Sequence, residues 1–304
     1  MRILVVGAGA VGGYFGGRLS LIGRDVTFLV REQRAAEIRD RGFEILSPHG
    51  DATVRPLVVT AGEIKGAYDL VLLSVKGYEL ANAIENFAAA VGEHTAILPV
   101  LNGMRHIDVL TDRFGASRVL GGVCIVATVI DEQRRIVQLN DMQSMTYGEL
   151  DGSSSARLET IDHDCQGAGF AANASSSIVQ EMWEKWVFIA ALGGITCLLR
   201  GSVGDIEAAP RGRDLTTAML DECNSVAIHS GYGARPDPLA RSTNMLTEAG
   251  SALTSSMYRD LRLNRRTEAD EILGDLCVRA DAAGIRTPLL TAAYASLTMH
   301  KAPA

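Results

Sequence analysis

A single lysine, Lys185, stands at the start of a long uncharged segment, because no charged residue occurs from Trp186 to Leu199. Lysine is seldom buried, since removing an ammonium group from water is costly unless something compensates it. Position alone leaves two interpretations open: a solvated lysine at a helix start, or a lysine held in a pocket for chemistry. We predict that the segment is the core helix of a second domain, with Lys185 at its exposed head.

A glycine-rich motif, GxGxxG, occupies Gly7-Ala8-Gly9-Ala10-Val11-Gly12, directly after the predicted strand "RILVV". In dinucleotide-binding proteins the first glycine permits a tight turn and the second lets backbone N–H groups approach a pyrophosphate. The third permits close packing of helix and strand. Because a predicted strand precedes the motif and a predicted helix follows it, we expect dinucleotide binding.

Polar residues also follow three later predicted strands. Arg31 follows "DVTFLV", at the position where an arginine accommodates the 2′-phosphate of NADP and an acid favours NAD. NADP is therefore expected, although Glu32 opposes the charge and a solvated helix start would have a similar composition. Lys76 and Asn102 follow "LVLLSV" and "ILPVL", at the sheet edge where such folds bind ligands. Taken singly, a helix-start lysine and an ordinary Asn-Gly turn explain them equally well.

These residues require an alternation of strands and helices, which the first part of the chain shows. The pattern predicts an α/β domain, a Rossmann-type doubly wound sheet of parallel strands. Short β-like runs between Val119 and Leu150 are expected to extend that sheet with antiparallel edge strands, and the chain then becomes helical. At 304 residues two domains are expected. We place them at residues 1–174, binding NADP, and 175–304, all-helical and substrate-binding.

Composition narrows the classes of function. The chain is 47% hydrophobic and 21% charged with a net charge of −7, which argues against a nucleic-acid-binding protein. Neither its cysteines nor its histidines show metal-ligand spacing, so no metal is predicted. No cleavable leader is evident, and the 14 apolar residues from Trp186 to Leu199 are fewer than the ~20 that span a bilayer. We expect a cytoplasmic protein without membrane contact.

With these motifs in order, the chain resembles the ketopantoate reductase family from Met1 to about Leu297. The resemblance is carried by the glycine motif, Arg31, Lys76, "LNGM", "WEKWVF" and "SSMYRDLRLNRRTEADEI". It implies a Rossmann domain joined to an all-α C-terminal domain, a 6-phosphogluconate-dehydrogenase-like arrangement. It also implies NADPH-dependent reduction of 2-dehydropantoate to pantoate, a step of pantothenate biosynthesis.

The same resemblance assigns roles to individual residues. Lys185 is similar to the family's proton donor, and Asn102 to an asparagine near both the nicotinamide and the substrate. Arg31, Lys76 and Ala127 match cofactor contacts. Ser256 matches a substrate-binding serine. Glu268 matches a glutamate that contacts the nicotinamide end of the cofactor and lies near the lysine.

Three positions depart from the family pattern. Ile189, Gly193 and Val203 stand where pantoate-forming members carry asparagines, and the first two lie one and two turns after Lys185 on one helix face. Ile189 and Gly193 are thus expected to line the substrate site, and losing amides there should change substrate preference.

The expected reaction is therefore the NADPH-dependent reduction of a 2-oxo acid, with 2-dehydropantoate as the first candidate. A reductase or dehydrogenase of another oxo acid or of a secondary alcohol remains an alternative, with Lys185 as base in the reverse direction. A non-catalytic NADP-binding protein is the third alternative. Retention of Lys185, Ser256 and Glu268 together argues against it. The direction of the reaction and a homodimeric assembly are left open.

Overall fold

The chain forms two compact units in the structure, a computed structural model that describes residues 1–299. Unit 1 comprises Met1–Leu101 and His106–Ile178, and unit 2 comprises Asn102–Arg105 and the chain from Val179 onward. The division falls shortly after the predicted boundary at residue 174. Residues 300–304 of the predicted second domain lie outside the described residues.

Unit 1 alternates strands and helices, as its sequence pattern predicts. In chain order its elements are β1 (Arg2–Val6), α1 (Ala10–Leu21), β2 (Asp25–Leu29), α2 (Glu32–Arg41), β3 (Phe43–Leu46), β4 (Ala52–Val54), β5 (Leu57–Val59), β6 (Leu70–Leu73), α3 (Leu80–Phe87), β7 (Ala96–Pro99), α4 (Arg105–Phe114), β8 (Leu120–Ile130), β9 (Ile136–Glu149), α5 (Ala156–Cys165) and β10 (Ala171–Ala174).

The first sheet is entirely parallel, in the order β5-β2-β1-β6-β7. Strands β6 and β7 are buried along their whole length, and β1 and β2 at all but their first residue. Continuous burial of apolar strands is typical of a sheet covered on both faces. The strand order reverses beside β1, which defines the point where doubly wound sheets bind their ligands. The predicted Rossmann-type fold is confirmed.

The strands after Val119 do not extend this sheet, so that expectation was wrong. Strands β8 and β9 form a long antiparallel hairpin in a second sheet, in the order β10-β9-β3-β4, with β8 on the other edge of β9. Strand β9 pairs in parallel with β3, from the early part of the chain. A single isolated bridge, Ile97 to Val119, joins β7 to the residue before the hairpin. The second sheet therefore depends on long-range pairing.

Unit 2 is helical throughout its named elements, which confirms the predicted helical C-terminal domain. They are α6 (Ile178–Leu199), α7 (Val203–Ala208), α8 (Gly212–His229), α9 (Pro236–Leu246), α10 (Ser256–Arg262), a π-helical turn (Asp270–Gly274), α11 (Asp275–Ala283) and α12 (Pro288–Met299).

Helix α6 is longer than its apolar run suggested. It has 22 residues, enough by length and composition to cross a membrane, so the predicted length argument fails. However, 67% of its most apolar 18-residue window is buried inside the protein, as expected for the core helix of a soluble protein. Lys185 lies about two turns after Ile178 and is half-buried, so it is not at an exposed helix head.

Candidate functional site

The glycine motif forms the turn from β1 into α1. Gly7 has a φ of +96°, a conformation that L side chains rarely adopt. A Cβ at Gly12 would lie 1.9 Å from the Ser74 Oγ and 2.3 Å from the Gly7 carbonyl oxygen, so only glycine lets α1 approach β1 this closely. A Cβ at Gly9 would meet nothing within 4 Å. The turn is therefore tightly packed at Gly12 and open at Gly9.

Neighbouring strands hold this turn in place. The Ser74 hydroxyl, just beyond β6, donates to the carbonyls of Val6 at 3.1 Å and Gly7 at 3.2 Å. The Gly7 N–H donates to the Leu29 carbonyl of β2 at 3.1 Å. No acidic side chain occupies the first turn of α1, so its N–H groups and positive dipole end keep their capacity to bind an anion. The arrangement fits a pyrophosphate held by backbone N–H groups from Gly9 to Gly12.

Arg31 and Lys76 lie at the ends of the strands on either side of β1. Arg31 precedes the first turn of α2, and its Nη2 forms an ion pair with the Glu79 Oε2 at 2.5 Å. Glu79 ends a short 3₁₀ turn, Gly77–Glu79, that leads into α3. Lys76 directly precedes this turn and is half-buried. Two cationic groups thus border the glycine turn, and the Arg31 guanidinium is held by the Glu79 carboxylate.

Ala127 lies in unit 1 at an irregularity of β8. The pairing of β8 with β9 shifts register between Val126 and Thr128, which leaves Ala127 at a β-bulge. Bulges re-aim backbone and side chains and are frequent beside active sites. The half-buried Ala127 is therefore in a position that can present backbone to a ligand.

In unit 2, three segments meet around the tryptophan that follows Lys185. The Trp186 Nε1 donates to the carbonyl of Ile272, in the π-helical turn, at 2.9 Å. A Cβ at Gly103 would lie 2.5 Å from the Glu271 carbonyl oxygen and 3.9 Å from the Trp186 Nε1. Because Asn102 and Lys185 are the chain neighbours of Gly103 and Trp186, the fold brings these two predicted site residues into one region of unit 2.

The approach to the π-helical turn carries two acidic groups. Glu268, predicted from the resemblance, is 4% exposed and has interacting partners. Glu271, one turn later, was missed by sequence reasoning. Its Oε2 is buried and, within residues 1–299, makes no hydrogen bond. Burial, together with repulsion from Glu268, raises the pKa of the Glu271 carboxyl. A raised pKa extends the pH range over which a carboxyl group is protonated and can donate a hydrogen bond.

Ser256 is the first residue of α10 and is half-buried. The preceding Ser255 caps the helix, accepting a hydrogen bond from the Tyr258 N–H at 2.9 Å, and its hydroxyl lies 2.9 Å from the Thr196 Oγ1 of α6. This pairing ties the start of α10 to α6. Ser256 is thereby positioned alongside the helix that carries Lys185.

The three positions that depart from the family pattern differ in their surroundings. Ile189 is half-buried. Gly193 is buried, and a Cβ there would lie 2.2 Å from the Met257 Cε, so the methionine fills the space beside this glycine. Val203 is 1% exposed and its N–H donates to the Leu253 carbonyl at 2.9 Å. Apolar packing thus replaces the asparagine amides of the family pattern.

A further cationic residue, Arg259, was not singled out by the sequence. It follows Ser256 by one helical turn, so the two residues lie on the same face of α10. Burial lowers the pKa of its guanidinium, and among the described residues its hydrogen bond is to the Thr254 carbonyl, from Nη1 at 3.1 Å. A desolvated guanidinium beside a serine hydroxyl is suited to binding a carboxylate. Only the i, i+3 spacing from Ser256 could have indicated it.

No group of three or more His, Cys, Asp or Glu side chains suited to a metal occurs within residues 1–299. The free cysteines in this part of the chain are mostly buried, and burial raises the pKa of the Cys197 thiol to about 11 and that of Cys165 to about 12. Thiols that stay protonated are poor nucleophiles and poor metal ligands. Cys165 and Cys197 are therefore poorly suited to either role.

The two units match two models of one protein family. Residues 3–152 match "Ketopantoate reductase PanE/ApbA" and residues 177–301 match "Ketopantoate reductase PanE/ApbA C terminal". A Bacillus subtilis (strain 168) protein named uncharacterized oxidoreductase YkpB is 35% identical over 302 residues, covering 99% of each chain. The chain belongs to the ketopantoate reductase family. The family expected from the sequence motifs is confirmed, and with it a class of pyridine-nucleotide-dependent oxidoreductases acting on CH–OH groups.

Other relatives extend over nearly the whole chain. A 2-dehydropantoate 2-reductase from Mesorhizobium japonicum is 27% identical over 296 residues, covering 90% of this chain and 89% of that protein. The crystal structure of a 2-dehydropantoate 2-reductase from Geobacter metallireducens superposes with a TM-score of 0.89 at 27% identity, covering 98% and 99% of the two chains. A ternary structure of D-mandelate dehydrogenase with NADH and anilino(oxo)acetate, at 19% identity, has a TM-score of 0.88 over 99% and 98%. At that identity the likeness shows a shared fold.

Proposed function

We propose that this family member reduces the keto group of a 2-oxo acid to a hydroxyl group with NADPH in the cytoplasm. Reduction of 2-dehydropantoate to pantoate, for pantothenate biosynthesis, is the first reaction to test. The observation that carries the proposal is the meeting, within unit 2, of the Lys185 segment, the Asn102 loop and the π-helical turn. It groups a potential proton donor with polar groups that can orient a carbonyl.

The phosphates of the cofactor would be held by unit 1. Backbone N–H groups of the glycine turn would bind the pyrophosphate, and Arg31 the 2′-phosphate of NADP. Lys76, Ala127, Asn102 and Glu268 are the other proposed cofactor contacts. When bound, the nicotinamide supplies a hydride to the carbonyl carbon.

Lys185 is the proposed catalytic acid. Hydride addition converts the ketone into an alkoxide, and the Lys185 ammonium gives its proton to that oxygen as the charge develops. The same positive charge stabilises the oxyanion before the proton moves. Solvent then reprotonates the amine, so that each turnover consumes one hydride and one proton.

The substrate would be bound by side chains of α10 and by Asn102. We propose that the Ser256 hydroxyl and the Arg259 guanidinium bind the carboxylate, because a charge-assisted hydrogen bond is stronger than one between neutral groups. Ile189 would contact an apolar part of the substrate. Gly193 would contribute through Met257, whose side chain fills the space beside it.

A second candidate substrate is a more apolar oxo acid, or the corresponding secondary alcohol oxidised in reverse with Lys185 as base. The observation that favours it is the apolar packing at Gly193 and Val203, where pantoate's precursor was expected to meet amides. A site that hydrogen-bonds a substrate hydroxyl discriminates strongly against substrates that lack the hydroxyl. A site without those amide groups should discriminate less against them.

The test is a substrate screen that follows NADPH absorbance with a panel of 2-oxo acids, 2-dehydropantoate included. Lys185→Ala should lower kcat on the best substrate by about 10²–10⁴-fold while NADPH binding is retained. The exposed Lys65 provides a matched control, and Lys65→Ala should leave turnover unchanged. Undiminished turnover in Lys185→Ala would contradict the acid role. Tight NADPH binding with no turnover of any carbonyl compound would favour a non-catalytic binding protein.

A further inference from the structure

We propose that Glu79 sets the cofactor preference of this site. Its carboxylate holds the Arg31 guanidinium and competes with the 2′-phosphate of NADP, so the protein distinguishes NADPH from NADH less than Arg31 alone would. This inference rests on the proposed function, because it assumes that Arg31 faces the ribose end of the cofactor.

The geometry follows from the strand order. Arg31 comes after β2 and Glu79 after β6, and β1 lies between those two strands. Neighbouring strands lie about 4.8 Å apart, so β2 and β6, which are separated by β1, lie about 10 Å apart. The Arg31 and Glu79 side chains nevertheless meet at 2.5 Å, between the two strands that flank the glycine turn. Their contact therefore lies at the ligand-binding edge of the sheet.

Both partners remain within reach of a ligand. The Arg31 side chain is 74% exposed and that of Glu79 is 36% exposed. Exposed ion pairs are weak, with a coupling of at most about 1 kcal/mol, and a phosphate can displace the carboxylate. Arg31 is therefore available to NADP, but only after it leaves Glu79 or while it shares its donors with both anions.

The Glu79 carboxylate acts differently on the two cofactors. A 2′-phosphate carries negative charge, so a carboxylate paired to the same guanidinium repels it. The ribose of NADH carries a 2′-hydroxyl in that place, and a carboxylate accepts a hydrogen bond from it, as the acid after the second strand does in NAD-binding folds. Here the acid comes from the β6 side. The pair thus combines an NADP-type group with an NAD-type group.

The test compares the Kd values of NADPH and NADH for the wild-type protein and Glu79→Gln. The glutamine keeps the shape and removes the charge. NADPH should bind about two- to fivefold more tightly to the variant, and NADH equally or more weakly, so that the NADPH preference increases. The matched control is Asp214→Asn, which makes the same charge change in the exposed Arg211–Asp214 pair of unit 2. It should leave both Kd values unchanged.

Three outcomes separate the inference from the function on which it rests. If both nucleotides bind and Glu79→Gln leaves their Kd ratio as in the wild type, the inference is wrong while the proposed function stands. A shift of equal size in Asp214→Asn would assign the effect to net charge and also overturn the inference. If the wild-type protein binds neither nucleotide, the proposed function fails, and the inference fails with it.

Discussion

At the scale of the residue, the proposed substrate contacts lie on one face of α10. Ser256 and Arg259 stand one turn apart on that face, and the neighbouring Met257 fills the space beside Gly193 of α6. The start of α10 thus supplies two polar groups and an apolar filler to the same region. In the proposed site, the Arg259 guanidinium would replace the amides that are absent from α6 and would bind the substrate through its carboxylate.

Arg259→Gln tests this interpretation. Hydrogen bonds to charged groups contribute about 1.5–3 kcal/mol, so we expect KM for the oxo acid to rise about 10–100-fold. The kcat and the Kd of NADPH should change little, because the proposed contact is made to the substrate carboxylate before and during reduction. Steady-state kinetics measure both. The control, Arg262→Gln, alters an exposed arginine on the same helix and should leave KM unchanged. Equal KM values in both variants would remove Arg259 from the site.

At the scale of the element, the approach of α1 to β1 depends on two glycines in different ways. Gly12→Ala should destabilise the fold by several kcal/mol, because the new Cβ would meet the Gly7 backbone carbonyl, which cannot rotate away. Gly9→Ala should leave the free energy of unfolding nearly unchanged, since the space around Gly9 is open. It should instead weaken dinucleotide binding, which needs that space. Denaturant unfolding and NADPH titration of both variants check the pair, and equal stabilities would contradict the packing argument.

In the π-helical turn, burial makes the charged form of the Glu271 carboxyl less favourable than it is in water. Because burial raises the pKa of this carboxyl, the folded protein binds its proton more tightly than the unfolded chain does. Stability is therefore lost as the pH rises from the ordinary carboxyl pKa of about 4.3 through the raised value. Glu271→Gln should gain stability relative to the wild type over that range, by about 1–3 kcal/mol at pH 8. Urea unfolding at pH 5 and pH 8 measures it, and a pH-independent difference would contradict the assignment.

Local patterns predicted much of this architecture. Buried strands such as Leu70–Leu73 and the glycine turn are encoded by neighbouring residues, so the parallel sheet and its ligand-binding edge could be predicted. The second sheet could not, because Ile45 pairs with Ile136 across about 90 residues without any local signal. Glu271 could not be predicted, because the burial of its Oε2 without a hydrogen-bond partner arises from the packing of the π-helical turn and has no local sequence signal. Lys185 was correctly predicted to lie on a helix, but it is half-buried about two turns into α6 and not at an exposed helix start.

At the scale of the whole molecule, each unit carries an ion pair between a buried, ionised glutamate and a partly exposed arginine. In unit 1, hydrogen bonds from Arg157 and Ser155 hold the pKa of Glu149 below its usual range. In unit 2, burial raises the pKa of Glu184, but hydrogen bonds from Arg235 outweigh it and the pKa is lowered. Both carboxylates therefore stabilise the fold only while they are charged.

Protonation of the Glu149 and Glu184 carboxylates should consequently contribute to unfolding of the protein in acid. A carboxyl with a lowered pKa contributes stability that is present above its unfolded pKa of about 4.3 and is lost as the pH falls through the lower folded value. Glu149→Gln should cost about 2–3 kcal/mol at pH 7 and make the unfolding free energy less dependent on pH below 5. Thermal unfolding between pH 3 and 7 tests this. Parallel pH profiles for the variant and the wild type would contradict it.

The topology of unit 1 also has a consequence for synthesis on the ribosome. All five strands of the first sheet lie before residue 100. By contrast, β3 pairs with β9, which is synthesised about 90 residues later, so one edge of β3 stays unpaired until then. We expect the nucleotide-binding sheet to become compact while the β3–β4 hairpin still presents unpaired backbone. Exposed strand edges recruit other chains. The passage from β7 to β9 is therefore the interval of translation in which a nascent chain is most prone to aggregate.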